Sequence, residues 1–553
     1  MSLQCLRAIG GAGTGKTSLM KQTAEKALAR PEMGGNPFAL GYSSFTRAAR
    51  LEAAVRCGTA WGVPPEELMK EGWFRTAHSV CYKQLGVQKG EMISSKEEDQ
   101  KWVSEAVGSE VAFSMDDEDG DGIAIYQGDP VASAALNYWS LARNLCVPLR
   151  SVVEADQSYD APSASEVIKR IEMFEAAKRL DHRMDFTDLL SRFVGIKFDP
   201  DVGPIEVTPE GTVPEEVVGW IFDEAQDASR LLDMACRRLV TGDACRWAWL
   251  VGDPYQVLFS WAGASARHFM GWDVAKQHIM PKSYRCPAAI MHAGEQCLRR
   301  LPDYWDRGIA PADHDGVVEE SENIEDDLAD LRPDEDTLVI ASTNMNVKKV
   351  GGILSDYGIP YRYTKSKREG APVKELGMAG LWSLQHGEGI SGEAWGRIVE
   401  ILPSKTRDGT EMLARGCKAQ WKRELSEKFD RVYPEHLPQL GASPELCQAI
   451  ASGSWSGLPD GGTKWVRAAK KWGVEAVSEP KIRIGTIHSA KGMEASKVIV
   501  LTAVSYKTRL GEESDEERFA EQRRVEYVAC TRAKHKLILA HDPRAKNRME
   551  VPL

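Results

Sequence analysis

The sequence has few features of a membrane or secreted protein. It contains no run approaching about 18 consecutive apolar residues, and its first residues lead into a strand-like segment without a signal-peptide pattern. Its eleven cysteines include no C-x-x-C pair and no cluster with histidine, which excludes the usual patterns of zinc sites, iron–sulfur sites and disulfide frameworks. We therefore expect a cytoplasmic protein whose cysteines are reduced and mostly buried.

The chain also lacks an excess of positive charge. It has 70 Lys and Arg against 81 Asp and Glu, a net charge of −11, which argues against indiscriminate coating of nucleic acid. Any strand-binding surface must be a confined basic groove. The 42% hydrophobic and 27% charged residues are typical of an ordinary folded protein, and 553 residues predict about three or four domains.

Several short apolar runs end at a polar or glycine-rich loop, which is typical of parallel strands whose carboxyl ends carry ligand-binding loops. One set comprises residues 3–9, 217–222 and 247–251 and predicts an α/β sheet. A second set comprises residues 338–341, 482–484, 498–501 and 537–540. It alternates with helical stretches and predicts a second α/β domain.

Two long segments, about residues 88–184 and 370–478, have helical periodicity and no strong strand runs, so we interpret them as inserted subdomains. The acidic stretches 116–121 and 319–336 are interpreted as solvated surface or linker. Segments 361–374 and 464–483 are basic with interleaved aromatic residues. Two interpretations explain this composition about equally well: binding to duplex or to backbone phosphates, and ordinary solvated helix faces.

A glycine-rich loop after the first predicted strand fits the pattern G-x-x-x-x-G-K-[ST] and precedes a predicted helix over residues 18–29. Such loops curl backbone N–H groups around phosphates at a helix N-terminus, while the lysine neutralises the terminal phosphates and the following hydroxyl can ligate Mg²⁺. The sequence therefore predicts a nucleotide site formed by Gly10, Gly11, Ala12, Gly13, Thr14, Gly15, Lys16, Thr17 and Ser18.

Two adjacent carboxylates, Asp223 and Glu224, follow the second predicted strand. One can hold Mg²⁺ while the other orients or deprotonates the attacking water. Alone, this pair would be interpreted as a solvated acidic turn. Together with the glycine-rich loop, it is interpreted as the second half of one nucleotide site.

The run D-E-A-Q-D at 223–227 resembles motif II of superfamily 1 helicases, and further motifs of the UvrD/Rep/PcrA group follow in that family's order over nearly the whole chain. The matching segments are Ser44 to Ala49 (motif Ia), Thr76 to Ser79 (Ib), Met184 to Leu190 (the M-D-F-x-D-L-L stretch), Gly252 to Gln256 with Trp261 to Ala264 (III), Ser283 to Pro287 (IV), Thr486 to Glu494 (V) and Arg524 to Ala533 (VI).

The resemblance implies an α/β fold of two RecA-like P-loop NTPase domains with parallel sheets, each carrying a mainly helical inserted subdomain. The first domain would comprise residues 1–87 and 185–280 with insertion 88–184. The second would comprise residues 281–369 and 479–553 with insertion 370–478. One ATP is expected at the cleft that the two sheet domains share.

The resemblance also implies roles for individual residues in ATP hydrolysis and strand binding. The expected nucleotide roles are Lys16 and Glu224 in catalysis, Thr17 and Asp223 as Mg²⁺ ligands, Gln256 as γ-phosphate sensor, Tyr284 stacking on adenine, Glu494 touching the ribose, and Arg285 and Arg532 as arginine fingers. The expected nucleic-acid contacts are Phe45, Thr46, Arg47, His78, Trp261 and His488. Trp261 is the strongest candidate for base stacking, with a core tryptophan as the competing interpretation.

The implied function is ATP-dependent 3′→5′ helicase activity on single-stranded DNA and single-strand/duplex junctions, with Mg²⁺. Replication or repair proteins are possible partners, and a monomer or weak dimer is expected. Two alternatives stay open: a translocase that strips proteins from strands with little unwinding, and an ATP-gated loading factor in which hydrolysis times release. The motif III ending at residues 261–264 and the M-D-F-x-D-L-L stretch favour 3′→5′ over 5′→3′ polarity.

Overall fold

A computed structural model describes residues 3–44, 47–115, 124–156, 161–364, 380–402, 404–405, 409–421, 431–452, 468, 471–473, 476–477 and 480–552. The chain folds into two compact units. The first unit comprises residues 1–284 and 305–311, and the second comprises residues 285–304 and 312–553.

The first unit alternates strands and helices around one sheet. In chain order its elements are β1 (Gln4–Ile9), α1 (Lys16–Leu28), β2 (Leu40–Ser44), α2 (Arg47–Trp61), α3 (Pro65–Lys70), β3 (Trp73–Phe74), α4 (Ala77–Leu85), α5 (Glu97–Val107), β4 (Val111–Met115), β5 (Ala124–Gly128), α6 (Pro130–Leu145), α7 (Leu149–Ala155), α8 (Ala164–Leu180), α9 (Phe186–Val194), β6 (Ile196–Asp199), β7 (Gly203–Glu206), β8 (Gly219–Asp223), α10 (Arg230–Leu239), β9 (Trp247–Gly252), α11 (Ala266–Met270) and β10 (Lys276–Ile279).

The sheet of the first unit has six parallel strands in the order β10-β1-β9-β8-β2-β3. Successive residues of a strand face opposite sides of the sheet, and in β8 Trp220 and Phe222 enter one hydrophobic core while Ile221 enters the other. Helices α4, α9 and α10 cover the first side, and α1 and α2 cover the second. The three predicted strands at 3–9, 217–222 and 247–251 are confirmed as β1, β8 and β9.

The segment between β3 and β8 has a separate core built from α5 to α8, with Trp139 and Phe174 almost fully buried. The sequence pattern predicts its helical character but not the antiparallel hairpin of β4 and β5, which packs Phe113 and Tyr126 onto that core. The acidic stretch 116–121 lies between these two strands and outside the described residues.

The second unit repeats the alternating pattern. Its elements are α12 (Ala288–Leu298), β11 (Val317–Ser321), α13 (Ile324–Ala329), β12 (Thr337–Ala341), α14 (Asn344–Asp356), β13 (Arg362–Tyr363), β14 (Ile390–Ser391), α15 (Gly392–Ile401), α16 (Cys417–Gln420), β15 (Arg431–Val432), α17 (Pro444–Ser452), β16 (Ile482–Thr486), β17 (Ala495–Leu501), α18 (Tyr506–Ser514), α19 (Glu516–Cys530) and β18 (Ala533–Ala540).

A second sheet of six parallel strands, in the order β11-β18-β17-β12-β16-β13, forms the centre of this unit. All four predicted strands are present, and the predicted α/β fold with two parallel sheets is confirmed. A further core between residues 381 and 450 includes the buried side chains of Trp395 and Trp421.

The interpretation of residues 319–336 as surface or linker was incomplete. This stretch contributes to edge strand β11 and forms helix α13, and Ile324 and Leu328 on that helix are buried in the core of the second unit. The acidic side chains Glu319 and Glu320 on the strand are exposed. The sequence therefore combines a solvated acidic face with an apolar face that anchors it.

Candidate functional site

The glycine-rich loop connects β1 to α1 in the first unit. Gly15 precedes the helix with a φ of 83°, a left-handed conformation that favours glycine. At Gly10, a Cβ atom would lie 2.5 Å from the hydroxyl of Thr14 and 2.7 Å from the sulfur of Met280, so that position requires glycine for space. Lys16, the first residue of α1, donates from Nζ to the carbonyl of Gly10 at 3.1 Å. The Lys16 side chain therefore folds back onto the loop. The loop leads directly into the N-terminus of α1, and a helix N-terminus is a place where backbone N–H groups bind anions.

The acidic pair lies where β8 ends in the same sheet. Tyr42 on the neighbouring strand β2 donates its hydroxyl to Oδ2 of Asp223 at 2.7 Å, and the backbone N–H of Glu224 donates to Oδ1 at 2.9 Å. Burial, together with the negative charge of Glu224, raises the pKa of Asp223 to about 7. Glu224 has a φ of 50°, an uncommon conformation for a residue with a side chain.

Four residues form a hydrogen-bonded path from motif II to motif III, through their side chains and the backbone N–H of Asp253, which we call the amide bridge: Glu224, Gln226, Asp253 and Gln256. Gln226 donates from Nε2 to Glu224 at 2.7 Å, and its Oε1 accepts the backbone N–H of Asp253 at 3.0 Å. Gln256 then donates from Nε2 to the carboxylate of Asp253 at 2.9 Å. A Cβ at Gly252 would lie 2.3 Å from Oε1 of Gln226, so glycine there permits the close approach.

Arg307 anchors the amide bridge from outside any of the recognised motifs. Its guanidinium donates to Oδ1 of Asp253 at 2.6 Å, with side-chain exposures of 1% for Arg307 and 0% for Asp253. No sequence motif indicated this contact or that of Tyr42 with Asp223. A pattern search could not pair Arg307 with Asp253, because 54 residues separate them.

The first two residues of motif IV belong to the first unit and are hydrogen-bonded to the glycine-rich loop. Ser283 donates its hydroxyl to the carbonyl of Ala12 at 2.8 Å, and the backbone N–H of Tyr284 donates to the carbonyl of Gly13 at 2.8 Å. The Tyr284 ring lies 3.8 Å from the position of a Cβ on Gly15 and is 71% exposed. An exposed aromatic face thus lies beside the predicted phosphate loop.

Three other predicted nucleotide residues come together in the second unit. Glu494 accepts from Nε of Arg285 at 2.6 Å and from Lys534 at 2.6 Å. Although burial opposes the shift, these two cations lower the pKa of Glu494. Arg532 is only 1% exposed and donates to the carbonyls of Val528 at 3.0 Å and Met493 at 3.2 Å.

The predicted nucleic-acid contacts have different surroundings. Phe45 and Thr46 lie outside the described residues, and α2 begins at Arg47. His78, half-buried on α4, meets the ring of Phe186 edge-on at 6.0 Å. His488 is half-buried in the turn after β16 of the second unit.

Trp261 is not a core residue. It is 40% exposed, whereas the neighbouring residues Val257 to Phe259 are buried. Its ring meets that of Phe259 edge-on at 6.3 Å, and a short 3-10 helix at Ser260–Ala262 presents it at the surface. This placement removes the competing interpretation of Trp261 as a core tryptophan.

Two parallel α/β sheets, a glycine-rich loop after β1 and an acidic pair at the end of β8 in the same sheet define a P-loop nucleotide hydrolase. The model of the UvrD/REP helicase N-terminal domain matches residues 4–274, and that of the UvrD-like helicase C-terminal domain matches residues 470–542. No curated protein matches the chain. The chain belongs to the UvrD/Rep-like superfamily 1 helicases and is an ATP-dependent DNA helicase, a hydrolase. Within the described ranges, no helix combines the length and apolar character needed to cross a bilayer.

Proposed function

We propose that this helicase moves 3′→5′ along single-stranded DNA and unwinds duplex at single-strand/duplex junctions, using ATP and Mg²⁺. The observation that carries the proposal is the amide bridge, which joins the carboxylate of Glu224 to Gln256 five residues before the exposed ring of Trp261. A change at the nucleotide can therefore reach a base-stacking surface through buried, hydrogen-bonded groups. The polarity is supported by the motif III ending and the M-D-F-T-D-L-L stretch.

The proposed nucleotide roles follow from the charges and exposure of the side chains. Lys16 exchanges the carbonyl of Gly10 for the terminal phosphates, because an ammonium binds an anion more strongly than a neutral carbonyl. Tyr284 stacks on adenine with its exposed ring. Glu224 orients the attacking water, and Gln256 senses the γ-phosphate. Residues 10–18 surround the phosphates with backbone N–H groups.

The residues proposed to hold Mg²⁺ are Asp223 and Thr17. Their oxygen atoms are the donors that Mg²⁺ prefers, and a buried carboxylate whose pKa is raised to about 7 gains stability from a nearby cation. When bound, the ion neutralises charge on the phosphate oxygens. Tyr42 holds Asp223 in orientation through the 2.7 Å hydrogen bond.

In the second unit, Arg285 and Arg532 are proposed as arginine fingers and Glu494 as the ribose contact. Glu494 accepts a hydrogen bond from Arg285. For the proposed roles, both residues must exchange this contact for contacts with the nucleotide. Arg532 is almost fully buried and bonded to carbonyls, so its role requires a local rearrangement that exposes the guanidinium. These two rearrangements are part of the proposal.

The proposed DNA contacts are Phe45, Thr46, Arg47, His78, Trp261 and His488, with Trp261 stacking on a base. The domain boundaries given above, action as a monomer or weak dimer, and partnership with replication or repair proteins belong to the same proposal.

Duplexes with only a 3′ or only a 5′ single-stranded tail test the polarity. We expect ATP-dependent unwinding of the 3′-tailed duplex alone, and none by Lys16→Ala. Activity confined to 5′ tails would overturn the polarity, and unwinding that survives in Lys16→Ala would overturn the nucleotide site. Protein displacement from a 3′-tailed strand without duplex separation would favour the stripping translocase.

A further inference from the structure

The carboxyl end of helix α6 lies against two of the segments that carry the helicase motifs. Arg143, in its last turn, donates to the carboxylate of Asp185 at 2.7 Å and to Asp188 at 3.0 Å. Both acids belong to the M-D-F-T-D-L-L stretch, where they form a capping box at the start of α9. Arg143 is only 4% exposed, so α6 is fixed to this part of the first unit by a buried ionic contact.

The next residue, Asn144, contacts the segment that follows motif II. Its Oδ1 accepts the hydroxyl of Ser229 at 2.9 Å, while its Nδ2 donates to the carbonyl of Ser140 at 3.0 Å. Ser229 also caps α10, because its Oγ accepts the N–H of Leu232 at 3.2 Å. The Asn144 amide is therefore oriented by one bond within α6 and one bond to the segment that follows motif II.

Asn144 also packs against the turn that carries Trp261. Gly263 has a φ of 91°, and a Cβ there would lie 3.2 Å from the Cβ of Asn144, which is a tight approach. The backbone after this turn pairs with the segment after motif II: Ala264 forms an antiparallel bridge with Ser229, and Ser265 donates to the carbonyl of Ala228 at 3.2 Å. One side chain thus contacts both segments where they meet.

We infer that Asn144 is a positioning residue that couples ATP turnover to DNA binding, by holding the Trp261 turn in register with the segment that follows motif II. The inference rests on the proposed function, because it takes Trp261 as a DNA contact. Among the described residues, the contacts of Asn144 are with Ser140, Ser229 and the motif III turn rather than with the phosphate loop or Glu224, so it acts on hydrolysis through that turn and the segment after motif II. A shift of that turn changes how well the bound strand stimulates ATP hydrolysis.

The test compares steady-state ATP hydrolysis of the full chain with and without an oligothymidylate strand. For Asn144→Ala we expect unchanged basal hydrolysis and an unchanged KM for ATP, with the strand-stimulated kcat lowered about tenfold. Asn144→Asp keeps an acceptor for the Ser229 hydroxyl but loses the donor to the carbonyl of Ser140, so it should restore part of the stimulation. Asn144→Leu keeps the volume without the acceptor, and it replaces the alanine variant if that variant unfolds.

Asn137 provides a matched control on the same helix. Its amide accepts from the N–H of Tyr126 and donates to the carbonyl of Tyr126, both at 3.0 Å, and thus ties α6 to the hairpin instead of to motif III. Asn137→Ala should lower the unfolding temperature without lowering strand stimulation. In a double variant with Trp261→Ala, Asn144→Ala should add little further loss, because both act through the same turn.

Three results would overturn the inference. The first is an Asn144→Ala enzyme that is stimulated as strongly as the wild type. The second is equal loss in Asn137→Ala, and the third is full additivity with Trp261→Ala. The proposed function fails separately, and the inference with it, if hydrolysis by the wild-type enzyme does not respond to the strand.

Discussion

The backbone N–H of Asp253 donates a 3.0 Å hydrogen bond to the side-chain oxygen of Gln226. The same glutamine donates to Glu224, so one fully buried amide touches both the carboxylate proposed to orient water and the start of motif III. A neutral side chain with both donor and acceptor is needed here, because a carboxylate could not donate to Glu224.

Replacing Gln226 with alanine should therefore affect both stability and chemistry. The change leaves the buried N–H of Asp253 without its partner, which costs about 1–3 kcal/mol of unfolding free energy. We also expect kcat for ATP to fall about tenfold, or about 1.4 kcal/mol of transition-state stabilisation, because Glu224 loses its orienting donor. Denaturant unfolding and steady-state ATP hydrolysis measure the two effects.

Gln226→Glu separates the two contacts of this side chain. It keeps an acceptor for Asp253 but places a second carboxylate beside Glu224, so kcat should stay low. A wild-type kcat for ATP hydrolysis in Gln226→Glu would show that the hydrogen bond from Gln226 to Glu224 does not contribute to catalysis.

Removing Arg307 should destabilise the first unit strongly. Arg307→Ala leaves the carboxylate of Asp253 buried without its cation, and breaking a buried ion pair in this way costs about 3–5 kcal/mol. The exposed pair of Arg332 and Asp334, with side chains 65% and 70% exposed, provides the control, because Arg332→Ala should leave the unfolding midpoint nearly unchanged. Equal midpoints for the two variants would contradict the assignment of Arg307 as an anchor.

Trp261→Ala should weaken binding to single-stranded DNA with little loss of stability. Loss of one base-stacking partner costs about 1–3 kcal/mol of binding free energy, and the side chain is 40% exposed. Fluorescence anisotropy of a labelled strand measures the affinity. Tyr506→Ala, at an aromatic that is 73% exposed on α18, is the control and should bind like the wild type. Unchanged affinity in Trp261→Ala would exclude stacking at this position.

Glu526 on helix α19 should make stability depend on pH. Burial raises the pKa of Glu526 from 4.5 to about 8, although Arg523 opposes the shift. The folded state therefore holds this proton more tightly than the unfolded state, so the contribution is greatest below pH 4.5 and is lost as pH rises to about 8.

Glu526→Gln removes this titration. The unfolding free energy of the wild type, minus that of the variant, should decrease as pH rises between 4.5 and about 8. Chemical denaturation at a series of pH values measures that difference. A difference that is constant with pH, or that grows, would contradict the raised pKa.

The central strands of both sheets were predictable because parallel strands buried on both faces are continuous apolar runs. The edge strands were not predictable in this way, because they are not continuous apolar runs. β10 reads Lys-Gln-His-Ile with its first three residues exposed, and β11 is mostly exposed as well. The hairpin of β4 and β5 was missed for a related reason, since an acidic run separates its two short strands.

The candidate site was predictable where its residues share a local motif. The glycine-rich loop, Asp223 with Glu224, and Gln256 each follow a strand, so their placement at one sheet edge follows from topology. Tyr42 and Arg307 were not predictable, because their contacts with Asp223 and Asp253 join distant parts of the chain. Nor did the sequence indicate that Glu494 accepts from both Arg285 and Lys534.

The coupling of ATP hydrolysis to strand movement through the amide bridge is tested most directly by ATP consumption on strands of increasing length, in the wild type and in Gln256→Ala. We expect consumption per binding event to rise with length in the wild type. In Gln256→Ala we expect nucleotide to bind with unchanged affinity, and consumption to be independent of length. A Gln256→Ala enzyme whose consumption rises with strand length as in the wild type, or a wild type whose consumption ignores length, would contradict the account.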